Sequence, residues 1–173
     1  MNIIINILAM TVPFSVALLL ASIGEMFNQR SGVFNLGCEG IMAMGAFVGM
    51  LIPFAVGGGG AVANGWNYLG LLLATIVGAL MGLFFGLIVV TFRAPQGIAG
   101  IGLQMFGVGT AGTLFRHFVG GTQSIPGLPS NPIPLLSDIP VIGEIFFSHN
   151  LVVYLAFLFV PLAWYILMKT SWG

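Results

Sequence analysis

The sequence LGLLLATIVGALMGLFFGLIVVTF, residues 69–92, decides the fold class of this protein. It contains no charged side chain and is longer than the roughly 20 residues that an α-helix needs to cross a hydrocarbon core about 30 Å thick. Asp, Glu, Lys and Arg are absent from residues 40–92, 94–115 and 145–168. Only 5% of the chain is charged, against roughly 25% of a soluble domain. Lipid must therefore surround most of the chain, and we predict an all-α, polytopic transmembrane helical bundle.

Other apolar stretches of the chain also have the length of a membrane span. Together they predict a single transmembrane domain, residues 1–173, with about five spans at 3–23, 32–55, 69–92, 97–118 and 151–168. We expect short polar turns at 24–31 and 93–96, at the membrane surface. Residues 120–150 hold five of the nine prolines, and we expect them to form a loop outside the membrane.

Two of the predicted spans are expected to be irregular. Asn35, Cys38 and Glu39 make the first turns of the second span unusually polar, which favours a broken or half-inserted start. The fourth span is rich in glycine, and each interior glycine weakens a helix by about 1 kcal/mol relative to alanine. We therefore expect a kinked or discontinuous fourth segment that lines a cavity, as in many transporters.

The third span carries glycine at every fourth position. Gly78, Gly82 and Gly86 lie on one helical stripe with Ala74. Small residues at this spacing allow the backbone of a neighbouring helix to approach closely. We predict that this stripe is a helix-packing face and not a binding site.

The basic residues predict the orientation of the spans. Five alternating spans place Arg30, Arg93 and Lys169 on one side of the membrane and Arg116 on the other. Because cytoplasmic loops carry an excess of Lys and Arg, the first side is predicted to be cytoplasmic. The N-terminus and the 120–150 loop are then expected outside. The N-terminus lacks the basic leader and cleavage site of a secretory signal, so we expect the first span to be retained.

The sequence lacks the residues that several classes of function require. There is no G-x-x-x-x-G-K-[ST] phosphate loop, so we do not expect the chain itself to hydrolyse ATP. It contains neither H-E-x-x-H nor G-x-S-x-G, and only one aspartate, so intramembrane proteolysis lacks its parts. His117 and His149 lie near predicted membrane boundaries and are expected to be solvated. A net charge of zero does not favour nucleic acid, and we predict no catalytic residue, metal or cofactor.

Glu39 is the one acid predicted within membrane depth. An ionisable group there is costly unless it faces water, a partner or a cavity, which makes Glu39 the leading functional candidate. Gln104, midway along the fourth span, is the next, because amides can hydrogen-bond hydroxylated solutes. Two interpretations stay open for Asn35, Glu39 and Gln104. They line a translocation path, or they form a structural polar network between helices.

The sequence GEMFNQRSGVFNLGCEGIM, residues 24–42, resembles a family signature. The family is the simple sugar and nucleoside branch of the ABC importer permeases, which is related to the branched-chain amino acid permeases. Its members typically read G-E-x-x-x-E-R-x-G-V-x-N-L-G-x-E-G-x-M, and this chain departs at Gln29, where the family has an acid. The resemblance continues through residues 94–96, 136–140 and 169–173, and so covers nearly the whole chain.

This resemblance implies a multi-pass subunit in the plasma membrane of a bacterium or archaeon. It implies a path formed with a second permease subunit, two cytoplasmic ATPase subunits and an extracytoplasmic solute-binding protein. The cargo would be a small polar solute, a nucleoside ahead of a simple sugar. In the family, the stretch like residues 169–173 leads into a cytoplasmic coupling helix and further spans. Either this sequence is a truncated or split product, or another chain supplies the remaining half.

Other functions are compatible with the same residues. Glycine-rich helices and a half-inserted segment also build passive channels or facilitators for small neutral solutes. The related branched-chain amino acid permeases offer a different cargo. An assembly subunit without a path of its own is a further alternative.

Overall fold

The computed structural model of the chain describes residues 3–57, 64–121, 127–131, 137 and 142–170. Within these residues the regular structure is helical throughout. In chain order it comprises α1 (Ile3–Arg30), α2 (Cys38–Gly57), α3 (Asn64–Gly86), a π-helical turn (Leu87–Thr91), α4 (Gln96–Phe118), α5 (Ile142–Phe146) and α6 (Leu151–Lys169).

Among the described residues, five helical segments are long and apolar enough to cross a membrane. They are α1, α2, α3 with its π-helical turn, α4 and α6. Each is close in position to one of the predicted spans. The predicted all-α, polytopic transmembrane fold class is confirmed.

The first helix is longer than the predicted span. Residues 24–30, which we expected in a polar turn, continue α1 to Arg30. The side chains of Asn28 and Gln29 donate hydrogen bonds to the Glu25 carboxylate at 3.2 and 3.3 Å. Such pairs at a spacing of three or four residues stabilise helical turns, and a cation at the C-terminus complements the helix dipole. These local bonds explain why the helix does not end where the sequence becomes polar.

The predicted broken start of the second span is confirmed. Residues 31–37 are not helical, and α2 begins only at Cys38. Gly32 has φ +82°, a left-handed conformation that glycine adopts without steric cost. The Asn35 side chain accepts a hydrogen bond from the backbone N–H of Gly37 at 2.8 Å, a local turn that competes with helix formation.

The predicted discontinuity in the fourth segment is wrong. The helix α4 is one uninterrupted α-helix of 23 residues. Two of its glycines are required for close packing, since Gly100 and Gly107 lie against the backbone of the segment 31–40. The irregularity lies instead at the end of the third span. There the chain forms the π-helical turn, and Arg93 follows with φ +55°.

The described chain divides into two compact units, residues 1–30 with 129–173, and residues 31–128. In the first unit, α1 contacts α5 and α6. Val16 of α1 packs with Val153 and Ala156 near the start of α6, and the end of α1 lies beside the end of α6. The two helices therefore run parallel. The single transmembrane domain over residues 1–173 stays a prediction.

In the second unit, α2 packs against both α3 and α4. Ile41 lies beside Gly78, and Gly49 lies beside Gly70, so α2 and α3 run antiparallel. Larger apolar side chains fill the space between the helices around the π-helical turn. The buried cluster consists of Met81, Phe85, Val89 and Leu103.

The 120–150 loop is described only in part, at 120–121, 127–131, 137 and 142–150. The short helix α5 lies within it. His149, which we expected to be solvated, is buried, and its ring nitrogen Nε2 lies 2.7 Å from the carbonyl oxygen of Ile145. A backbone partner offsets the cost of removing the imidazole from water. His117 is exposed at the end of α4.

Candidate functional site

The candidate site is built on the irregular segment 31–37, which lies alongside α4. The side chain of Gln96, the first residue of α4, connects the two. Its Oε1 accepts a hydrogen bond from the backbone N–H of Phe34 at 2.8 Å, and its Nε2 donates to the carbonyl oxygen of Gly32 at 3.2 Å. One amide thus satisfies two backbone groups that have no helical partner.

This double hydrogen bond holds the segment around Val33. Pairing with the carbonyl of one residue and the N–H of the residue two positions later is how a neighbouring strand bonds in a parallel sheet. The Gln96 amide takes the place of such a strand. The side chain of Val33 packs against the buried cluster of the second unit, and this contact also holds the segment in place.

Further along the chain, the segment and α4 are in direct backbone contact. A Cβ on Gly37 would lie 2.9 Å from the carbonyl oxygen of Gly100. A Cβ on Gly40 would lie 2.6 Å from the carbonyl oxygen of Leu103, and one on Gly107 would lie 2.6 Å from the Gly40 Cα. Real Cβ atoms essentially never come so close. Only glycine fits at these positions, and the contact brings the first turn of α2 against the middle of α4.

Glu39 and Gln104 meet at this crossing. The Gln104 Nε2 donates a hydrogen bond to the Glu39 Oε2 at 2.5 Å. Glu39 is exposed in the chain, whereas Gln104 is half-buried. Asn35, the third predicted residue, is 8% exposed, and its side chain forms the turn that precedes α2.

The crossing lies well inside the span formed by α4. Gln104 is eight residues beyond Gln96, which corresponds to about 12 Å along a helix axis. A carboxylate at such a depth is costly when it faces hydrocarbon. Glu39 is exposed in the described chain, so contact with water or with a protein surface from outside that chain would lower this cost. The site offers carboxylate oxygens and an amide, which are suited to hydrogen-bonding hydroxyl groups.

The family described as "branched-chain amino acid transport system / permease component" matches residues 4–173. The chain belongs to this family of permease components. The matched range includes the segment 31–37, the Glu39–Gln104 pair and, apart from Ile3, all five candidate spans.

Two relatives of this permease component are named for nucleosides. The guanosine ABC transporter permease protein NupQ of Bacillus subtilis is 37% identical over 98% of this chain and 55% of its own length. The nucleoside ABC transporter permease protein NupC of Lactococcus lactis subsp. cremoris is 34% identical over 96% of this chain and 53% of its own length. The chain therefore spans about half the length of these curated relatives.

A third relative is named for a sugar. TsgC13 of Haloferax volcanii, named as a candidate glucose ABC transporter permease, is 31% identical over 97% of this chain and 49% of its own length. No solved structure matches the permease component.

The glycines of the predicted stripe in the third span differ in their contacts. A Cβ on Gly78 would lie 3.7 Å from the Ile41 Cγ2, an ordinary contact with α2. A Cβ on Gly82 or Gly86 would meet nothing within 4 Å among the described residues. That this stripe is a helix-packing face stays a prediction. A helix that packs against Gly82 and Gly86 would lie outside the described chain.

Sequence reasoning missed the residues that hold the site together. Gln96 was regarded as part of a turn, although it begins α4 and clamps the 31–37 segment. Nothing in its local sequence indicates a partner more than sixty positions away. A signal did exist for the close contact, because Gly100 and Gly107 are seven residues apart and therefore share one helix face.

Proposed function

We propose that this chain is part of a membrane-spanning permease subunit of an ATP-driven importer whose cargo is a nucleoside. The observation that carries this proposal is the similarity to two relatives named for guanosine and nucleosides, over 98% and 96% of the chain. A simple sugar is the second cargo, supported by the more weakly similar TsgC13.

The proposed subunit works with partners. A second permease subunit completes the path, cytoplasmic ATPase subunits hydrolyse ATP, and an extracytoplasmic protein delivers the solute. We place the complex in the cytoplasmic membrane of a bacterium or archaeon. Family membership supports this arrangement, since the two relatives carry ABC transporter in their names.

The Glu39–Gln104 pair is proposed to face the translocation path. It supports a neutral, hydroxylated cargo, because a carboxylate can accept hydrogen bonds from sugar hydroxyl groups, as acidic residues do with the ribose of dinucleotides. The exposure of Glu39 at membrane depth supports a location beside water rather than beside lipid.

We propose that the N-terminus lies outside the cell. Support comes from the first unit, in which α1 and α6 run parallel and end in Arg30 and Lys169. Three candidate spans lie between α1 and α6 in the chain, and helices separated by an odd number of spans run in the same direction. Basic residues at their shared end are typical of the cytoplasmic side.

Uptake by the complete transporter tests the proposed function. The full-length permease that contains this chain is reconstituted in vesicles with its ATPase and binding protein, and entry of radiolabelled guanosine, glucose and leucine is measured. We expect guanosine to enter only with ATP. Entry without ATP or the ATPase would establish a passive facilitator. Uptake of glucose or leucine instead of guanosine would replace the nucleoside as cargo.

A further inference from the structure

The parallel ends of α1 and α6 enclose a groove of about 260 Å³ in the first unit. Three apolar side chains and two polar ones line it. These are Met26, Leu167 and Met168 on the apolar side, with Gln29 and Arg30. Lys169 follows Met168 directly and is exposed. The groove is therefore apolar along the helices and basic where they end.

The groove is at the level of lipid headgroups. The helix α1 has 28 residues, which corresponds to about 42 Å and matches the full thickness of a bilayer with its headgroups. Its last turn carries Arg30. The helix α6 has 19 residues, about 28 Å, so Lys169 lies where the hydrocarbon core ends.

Arg30 is available to a ligand. Among the described residues, no carboxylate forms an ion pair with its guanidinium, and its side chain is exposed. The nearest acid in sequence on α1, Glu25, accepts hydrogen bonds from Asn28 and Gln29 and is not part of the groove lining. A guanidinium binds phosphate through two parallel hydrogen bonds when no carboxylate competes.

We propose that this groove binds an anionic phospholipid. Arg30 holds the headgroup phosphate, Lys169, which follows the lining residue Met168, adds positive charge, and Met26, Leu167 and Met168 contact the first part of an acyl chain. Flexible methionine side chains adapt readily to a mobile chain. The geometry resembles the basic pockets between transmembrane helices that recognise anionic headgroups. The site is independent of the transported solute.

Lipid retention by the purified protein tests this site. The full-length permease in detergent is mixed with equal amounts of phosphatidylglycerol and phosphatidylcholine of identical acyl chains, and bound lipids are counted by native mass spectrometry. We expect phosphatidylglycerol to be retained preferentially. Arg30→Gln should lower its affinity about fivefold, the effect typical of one basic residue near a charged headgroup. Arg30→Lys should retain most of the preference, and Lys169→Gln should lose less than Arg30→Gln.

Arg116 provides the matched control, because it is an exposed arginine in the last turn of α4, in the other unit. Arg116→Gln should leave the retained phosphatidylglycerol unchanged. Equal retention by Arg30→Gln and the unsubstituted protein would overturn the proposal, as would equal binding of phosphatidylcholine. Displacement of the lipid by excess inorganic phosphate would show a site for a free anion and would also overturn it. Should Arg30→Gln fail to give a monodisperse protein, the comparison of phosphatidylglycerol with phosphatidylcholine on the unsubstituted protein still decides, since equal binding of the two lipids overturns the proposal.

Discussion

Gly40 of α2 and Gly107 of α4 touch backbone to backbone. A Cβ on Gly107 would lie 2.6 Å from both the Cα and the carbonyl carbon of Gly40. Close approach of this kind is how helices associate in lipid, where apolar side chains gain little by leaving hydrocarbon. The contact places Glu39, the neighbour of Gly40, beside Gln104.

The first prediction concerns this contact. Gly107→Ala should lower the free energy of unfolding by about 1–3 kcal/mol, because the new methyl group overlaps backbone atoms that cannot move like a side-chain tip. Thermal denaturation of the full-length permease in detergent measures the effect. Gly109→Ala is the matched control, since a Cβ there would meet nothing within 4 Å among the described residues. Equal melting temperatures for the two variants would contradict the close crossing of α2 and α4.

The second prediction concerns the two hydrogen bonds by which Gln96 holds the 31–37 segment. Gln96→Leu removes both hydrogen bonds to the 31–37 segment and should cost about 1–3 kcal/mol, at roughly 0.5–1.5 kcal/mol for each bond. Gln96→Glu keeps the acceptor for the Phe34 N–H and loses the donor to Gly32, so its cost should be at least that of one lost bond. Thermal stability measures both. Gln29→Leu, whose amide bonds only one turn back to Glu25, should cost less than Gln96→Leu.

The sequence predicted the local features of this fold better than its long-range contacts. Apolar stretches with few charges were enough to place five spans, because lipid requires each to be a helix. The polar residues Asn35, Cys38 and Glu39 were enough to predict the broken start of the second span. The sequence could not show that Gly100 and Gly107 pack on the segment 31–40, and so α4 was expected to be kinked or discontinuous, whereas it is one uninterrupted helix.

The residues of the candidate site were likewise predicted only in part from the sequence. Glu39 and Gln104 were both selected from the sequence, since each is polar within an apolar span, and the structure brings them together. Their supporting residue Gln96 was not selected. Its role depends on hydrogen bonds between its carboxamide and the backbone of residues 32 and 34. No periodic sequence pattern predicts such bonds.

The third prediction concerns Arg93, which has φ +55° after the π-helical turn. Glycine adopts this conformation without a Cβ penalty, so Arg93→Gly should raise the free energy of unfolding by up to about 1 kcal/mol. Arg116 is the control of the same residue type, and it is helical. Arg116→Gly should lower the free energy of unfolding by about 1 kcal/mol, as glycine does within helices. Thermal shifts of the same sign in the two variants would refute the left-handed conformation of Arg93.

The fourth prediction separates the two roles of Glu39. Glu39→Gln keeps a hydrogen-bonding partner for Gln104, whereas Glu39→Leu leaves the amide without it, at a cost of about 1–3 kcal/mol. Assembly and uptake are measured separately in the reconstituted transporter. If Glu39 is structural, Gln should restore both properties; if it faces the path, Gln should restore assembly and still reduce uptake. Equal assembly and uptake in both variants would show that Glu39 has neither role.

The last prediction concerns orientation, and single cysteines at the two ends of α4 test it. Cys38, the one native cysteine, is first replaced by Ala. Ala94→Cys and Gly121→Cys then place a thiol before and after the helix without removing any charge. With the N-terminus outside, α4 runs outward, so a membrane-impermeant thiol reagent on intact cells should label position 121 and not position 94.

Permeabilised cells should show labelling at both positions, which establishes that each thiol is reactive. The reverse pattern in intact cells would place the N-terminus in the cytoplasm, and Arg30, Arg93 and Lys169 on the outer side. The excess of basic residues would then lie opposite to the side on which cytoplasmic loops carry it. Labelling of both thiols in intact cells would show that α4 does not separate its ends across the membrane, in conflict with its 23-residue length and apolar composition.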